Sequence, residues 1–143
     1  MNAPEAVPED ARTLADTHTV VNVSRDLVDY NLYAQDAALQ EAVGREGARW
    51  AHDALTAFGR TIGTADYLEL GALANRHPPE LDTHDRFGHR VDLVRFHPAY
   101  HTLMRTAIEH GLHASPWSEP KPGAHVARAA HTYLHTQVEA GHG

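Results

Sequence analysis

The sequence predicts a mainly α fold, a helical bundle carrying a short β-hairpin insert. Three observations carry that expectation. Two stretches in the second half keep helical spacing: Tyr100, Leu103, Met104, Ala107 and Ile108, then Val126, Ala129, Ala130, Tyr133, Leu134 and Gln137. Three shorter apolar stretches between Asp36 and Asn75 are bounded by capping residues and glycines. Between these groups, two β-prone runs flank Asp85-Arg86-Phe87-Gly88, where Gly88 can take the positive φ of a tight reversal.

In chain order, residues 1–16 read as a flexible tail, with Pro4, Pro8 and several acids and little to bury. Residues 17–23 read as extended and residues 29–33 as an irregular lead-in. An apolar arm that cannot pack on itself often lies along another surface or another subunit. Asp36 is a good N-cap, and Ala38, Leu39, Ala42 and Val43 form the stripe of the helix it opens. Gly44 and Gly47 mark its break. A second helix over residues 48–62 carries Trp50 or Ala51, Ala54, Leu55 and Phe58 on one face, and Gly63 stops it. Thr64 caps a third helix through Asn75, with Tyr67, Leu68, Gly71 and Ala72 on a common side and Asp66 at the positive end of its dipole.

His77 precedes Pro78 and is biased away from the α region, so the third helix ends there. Residues 81–84 and 90–94 then form the two strands. A lone hairpin is marginal in water and is expected to lie against helices or a partner. His97-Pro98 starts the next helix and Gly111 stops it. Residues 115–123, SPWSEPKPG, read as a loop, and the last helix spans residues 124–140, ending at Gly141.

Composition sets the outer bounds. A chain of 143 residues, 42% hydrophobic and 22% charged, is one soluble domain with a single core. It holds no apolar run near the ~20 residues of a membrane helix, and its acidic start, MNAPEAVPED, has no signal-peptide pattern. The chain has no cysteine, which removes disulfides and thiolate metal sites and fits a cytoplasmic location. A net charge of −7 argues against a duplex-DNA surface in these residues. Thirteen histidines make that charge sensitive to acid.

No complete active site is legible. His97 with His101 and His131 with His135 stand four apart, the spacing of a bis-histidine metal site, but no third ligand can be assigned. Surface or helix-capping roles explain them more simply. The serines Ser24, Ser115 and Ser118 lie in no nucleophile elbow, and no glycine-rich phosphate loop is present. Asp82, Asp85 and Asp92 read as hairpin and turn residues and Glu109 as a solvated helix residue. Trp50, Trp117, Tyr100 and Tyr133 read as core or interface aromatics. No catalytic, cofactor-binding or metal-binding residue is assigned.

Longer motifs carry more. The stretch THTVVNVSRDLVDYNLYAQDAALQEAVGREGARW, then LANRHPPEL, the FHPAYH helix start and QVEAGHG, resemble in order the amino-terminal part of AidB-type proteins. These form the adaptive-response, or DNA alkylation response, branch of the acyl-CoA dehydrogenase family. The resemblance covers residues 17–143. It implies an α-helical amino-terminal domain, preceding a β-barrel, a second helical bundle and a basic DNA-binding region in a much longer FAD flavoprotein that forms homotetramers. The family's flavin contacts, catalytic carboxylate and DNA-binding surface would all fall beyond Gly143. The resemblance therefore implies a structural and oligomerisation domain, inactive alone and binding no FAD or DNA by itself. A free-standing helical interaction protein without catalytic activity is the alternative.

Overall fold

Asp36 opens the first helix as its side chain requires: the carboxylate accepts from the Leu39 amide at 2.8 Å, satisfying a donor that every helix start leaves free. The computed structural model describes residues 21–139, so the expected tail and most of the extended stretch lie outside the described residues. Helix α1, Ala37–Arg45, runs through Gly44, and the break falls at Gly47 with φ of +81°. The expected single helix over 48–62 is a 3₁₀ turn, Arg49–Ala51, followed by α2, His52–Ile62. Ala51 is buried and Trp50 half exposed, while Ala54, expected inside, faces out.

Helix α3, Ala65–Arg76, begins where the Thr64 hydroxyl accepts from the Tyr67 amide at 3.3 Å. A second acceptor arrives from far away in sequence, as the Asp29 carboxylate takes the Ala65 amide at 3.0 Å. Tyr67 and Gly71 are buried as expected, but Leu70 and Ala74 complete the inner face, whereas Leu68 is half buried and Ala72 exposed. Burial raises the Tyr67 phenol pKa, opposed by the Thr106 hydroxyl.

Strands β1, Glu80–His84, and β2, Arg90–Arg95, pair antiparallel with Leu81 opposite Val94 and Asp82 opposite Leu93. The register shifts between Asp82 and His84, and Asp92 sits at φ of +44° in the left-handed region. Leu81, Val91, Leu93 and Val94 are each about half exposed or more. The hairpin therefore stands open on both faces instead of lying on the helices.

Helix α4, Pro98–Glu109, is capped by His97, whose Nδ1 accepts from the Ala99 amide at 3.2 Å. Its buried face is Ala99 and Leu103, with Ala107 packed beside them, and Ile108 points outward. The expected loop over 115–123 opens with one helical turn, α5, Ser115–Ser118, because Pro116 suits a first-turn position. Helix α6, Ala124–Thr136, follows Gly123 and stops short of the expected span over 124–140, giving way to a turn at Gln137 and Val138.

The core gathers around α2. Leu55, Phe58 and Ile62 are fully buried, with Val43 of α1, Leu103 of α4 and Leu134 of α6 around them. Each such side chain contributes about 1.5–3 kcal/mol on burial. The lead-in closes the other side: the Leu32 amide donates to Gly59 O at 3.2 Å, and Asn31 Nδ2 donates to Thr56 O at 2.9 Å. Leu32 and Tyr33 are thereby buried. This approach needs glycine, since a Cβ at Gly63 would run into the Tyr30 carbonyl oxygen. The bundle with its hairpin is the fold class the sequence predicts.

Candidate functional site

Polar chemistry converges where the end of α4 meets α6 over Phe58. Helix α6 buries Ala124, Ala127, Ala130, His131, Leu134 and His135. The expected inner stripe shared only Ala130 and Leu134 with this face, and Tyr133 and Ala129 turn to solvent. Four alanines in α6 leave its phase weakly determined by hydrophobicity, so two imidazoles fill the inner positions instead. The expectation that His131 and His135 are surface or capping residues is thus overturned: they are 9% and 5% exposed.

Three imidazoles surround the Phe58 ring. His110 lies 4.6 Å from it, His131 5.1 Å and His135 6.4 Å, centroid to centroid. His131 Nδ1 donates to Ala127 O at 2.9 Å, and His110 Nδ1 donates to Thr106 O at 2.9 Å, each four residues back on its own helix. Burial pushes the His131 pKa below the ordinary imidazole value, the Ala127 carbonyl opposes that, and the His110 charge adds to the lowering. A neutral, ring-stacking imidazole is the species this pocket accepts.

Two clefts open beside the cluster. One, of about 520 Å³, is lined by Trp50, His110, Ser115, Lys121, Arg128 and His131 among others. Its neighbour, of about 380 Å³, includes Met104, Leu112, Arg128, His135 and Glu139. The cations at these clefts are already engaged. Lys121 Nζ sits 3.6 Å from the Trp50 ring centroid, and Trp50 Nε1 donates to Pro122 O at 2.9 Å. Arg128 lies 5.5 Å over Trp117 while its Nε donates to Leu112 O.

The other sequence candidates separate. His97 caps α4 and stacks on His77 at 4.8 Å, while His101 is exposed and meets the rings of Phe96 and Tyr100 edge-on. Among the described residues, no group of three or more histidine, cysteine, aspartate or glutamate side chains is placed to hold a metal ion. Ser24 is exposed, and the Ser118 hydroxyl donates back to Ala114 O and Ser115 O. Asp85 organises the hairpin turn, accepting from the amides of Phe87 and His89 at 2.8 and 2.9 Å. Asp82 and Asp92 pair with Arg95 and Arg90 on the strands, and Glu109 is exposed. Trp50, Trp117 and Tyr133 are half exposed or more, which excludes them from the core. Tyr100 is partly buried and stacks on Phe96 at 4.3 Å.

Sequence reasoning missed His110 and Arg128. Their signal was available: both lie near the C-terminal glycine of α4 or the small-residue face of α6, where chains approach closely.

An amino-terminal helical domain of the acyl-CoA dehydrogenase type is the class this fold defines. In solved structures, a similar fold occurs in the apo form of Bd2924, with a TM-score of 0.70 and 22% identity over 82% of this chain and 24% of that one. Caenorhabditis elegans ACDH-11, solved in complex with C11-CoA, matches with a TM-score of 0.66 and 20% identity over 85% of this chain and 22% of that one. The model of the adaptive response protein AidB N-terminal domain matches residues 22–143, and the chain belongs to that family. It is 53% identical over 126 residues to AidB of Escherichia coli (strain K12), an acyl-CoA dehydrogenase by name. The match covers 87% of this chain and 23% of that relative, so the chain spans about a quarter of the relative's length.

Proposed function

We propose that the chain acts as a structural and oligomerisation domain of an AidB-like, FAD-dependent acyl-CoA dehydrogenase of the DNA alkylation response. In this reading, residues 17–143 form the helical domain after a tail over residues 1–16, in a cytoplasmic protein. Its partners are the remaining domains of the longer polypeptide and the other subunits of a homotetramer. Flavin contacts, the catalytic carboxylate and DNA contacts belong to residues outside this chain. Among the described residues no helix is long and apolar enough to cross a membrane, which agrees with this placement.

One observation carries the reading. The apolar residues Val21, Val23 and Leu27 of the arm and Leu81, Leu93 and Phe87 of the hairpin are 54–86% exposed. Exposed apolar surface of that extent marks contact with other protein.

The test is flavin binding by the 143-residue chain itself. Purified in excess FAD and then desalted, it is expected to retain no flavin absorbance and to show no acyl-CoA dehydrogenase activity. A stoichiometric yellow flavin spectrum overturns the reading.

A further inference from the structure

We propose that the imidazole cluster around Phe58 is an acid-released latch, holding the end of α4 and helix α6 on α2 at neutral pH and letting go when His131 gains a proton. The geometry is specific to this seam. His131 already spends its Nδ1 proton on Ala127 O, so an added proton must go to Nε2, on a ring packed against Phe58 and His110. An ionised imidazole in so buried a place, 9% exposed, is unfavourable without a counter-ion.

The groups facing that ring tilt the balance the same way. Phe58 is what α2 presents, and His110 comes from the end of α4 at 6.5 Å from His131. The same cleft is lined by Glu109, His113, Glu119, Lys121 and Arg128. His135 and Glu139 line the neighbouring cleft. Of these acids, Glu109 and Glu119 are exposed, Glu139 is buried on the His135 side in the neighbouring cleft, and Arg128 and Lys121 place positive charge at the rim on the His131 side. A proton on His131 adds to the positive charge that Lys121 and Arg128 bring to that cleft.

The sign follows from burial lowering the His131 pKa: the unfolded or opened chain binds the proton more readily. The latch is intact above the ordinary imidazole value of about 6.5 and weakens as pH falls from there through the lowered native value. One proton gives an opening constant that rises up to about tenfold per pH unit across that window.

Hydrogen exchange of the 143-residue chain at pH 7.5 and 5.5, corrected for intrinsic rates, tests this directly. Peptides covering residues 106–131 are expected to lose protection on acidification while α1 and α3 keep theirs, and the His131→Phe variant is expected to lose that acid response. Equal loss across the bundle, or an unchanged response in His131→Phe, overturns the latch. Should the variant fail to fold, the native His131 ring signal followed by NMR decides the matter: titration below the ordinary imidazole range upholds the latch, and titration at or above it overturns the idea.

Discussion

The carbonyl oxygen of Val138 sits against the α-carbon of Gly71, so close that a methyl group at Gly71 would collide with it. This single approach ties the described end of the chain to α3. Gly71→Ala is expected to destabilise the bundle by about 1–3 kcal/mol, the usual range for overpacking a fixed backbone contact. Urea denaturation measures it. A variant as stable as the parent would show that the residues around Val138 are not held there in solution.

Phe58 is both core and cage wall. Phe58→Ala removes a fully buried ring and is expected to cost about 3–5 kcal/mol. Phe58→Leu keeps much of the volume and is expected to cost less, while still removing the ring that His110 and His131 stack on. Chemical denaturation ranks the two, and equal stability of Phe58→Ala and the parent would contradict the placement of this side chain.

The hairpin turn is organised by one carboxylate. The His89 ring, then the His89 amide and the amides of Phe87 and Gly88, hold the Asp85 pKa below the ordinary carboxylate value. Its contribution is therefore present above the ordinary value and is lost as pH falls through the lowered one. Asp85→Ala is expected to broaden or shift the amide NMR signals of residues 80–95 and to leave those of α2 and α6 in place. Shifts spread across the helices would argue against a local role.

Leu81 and Leu93 occupy neighbouring pairs of the ladder and so point to opposite faces, both exposed. The isolated chain is accordingly expected to self-associate at high concentration. Replacing both with lysine should raise the monomer fraction in size-exclusion chromatography without lowering the thermal midpoint. A fall of several degrees would mean that the hairpin packs on the bundle after all.

Much of this fold was legible in the sequence because local rules act there unopposed. Asp36, Thr64 and His97 cap the helices they precede, and Gly88 turns the hairpin at φ of +87°. The phase of α6 was not legible. Ala127, Ala129 and Ala130 bury almost equally well on either side, so the choice of face was settled by the distant partner Phe58 and by the ring shape of His131 and His135. The cluster also joins Phe58 and His110 to the His131–His135 pair, and only that pair is brought together by sequence spacing. The hairpin's openness was hidden for a related reason: strand propensity fixes pairing between β1 and β2 but says nothing of what lies against their faces.

The chain has two tryptophans: Trp50 attaches to the segment between α5 and α6, and Trp117 lies in α5 against the first turns of α6. Trp50 is pinned to Pro122 under Lys121, and Trp117 meets the His125 ring at 5.3 Å below the Arg128 guanidinium. Intrinsic fluorescence of this protein is therefore a reporter of that clasp and not of the hydrophobic interior. An emission change that precedes the loss of helical circular dichroism marks the clasp springing open while Leu55, Ile62 and Leu134 remain packed, and a melt followed by fluorescence alone would assign the bundle a false midpoint.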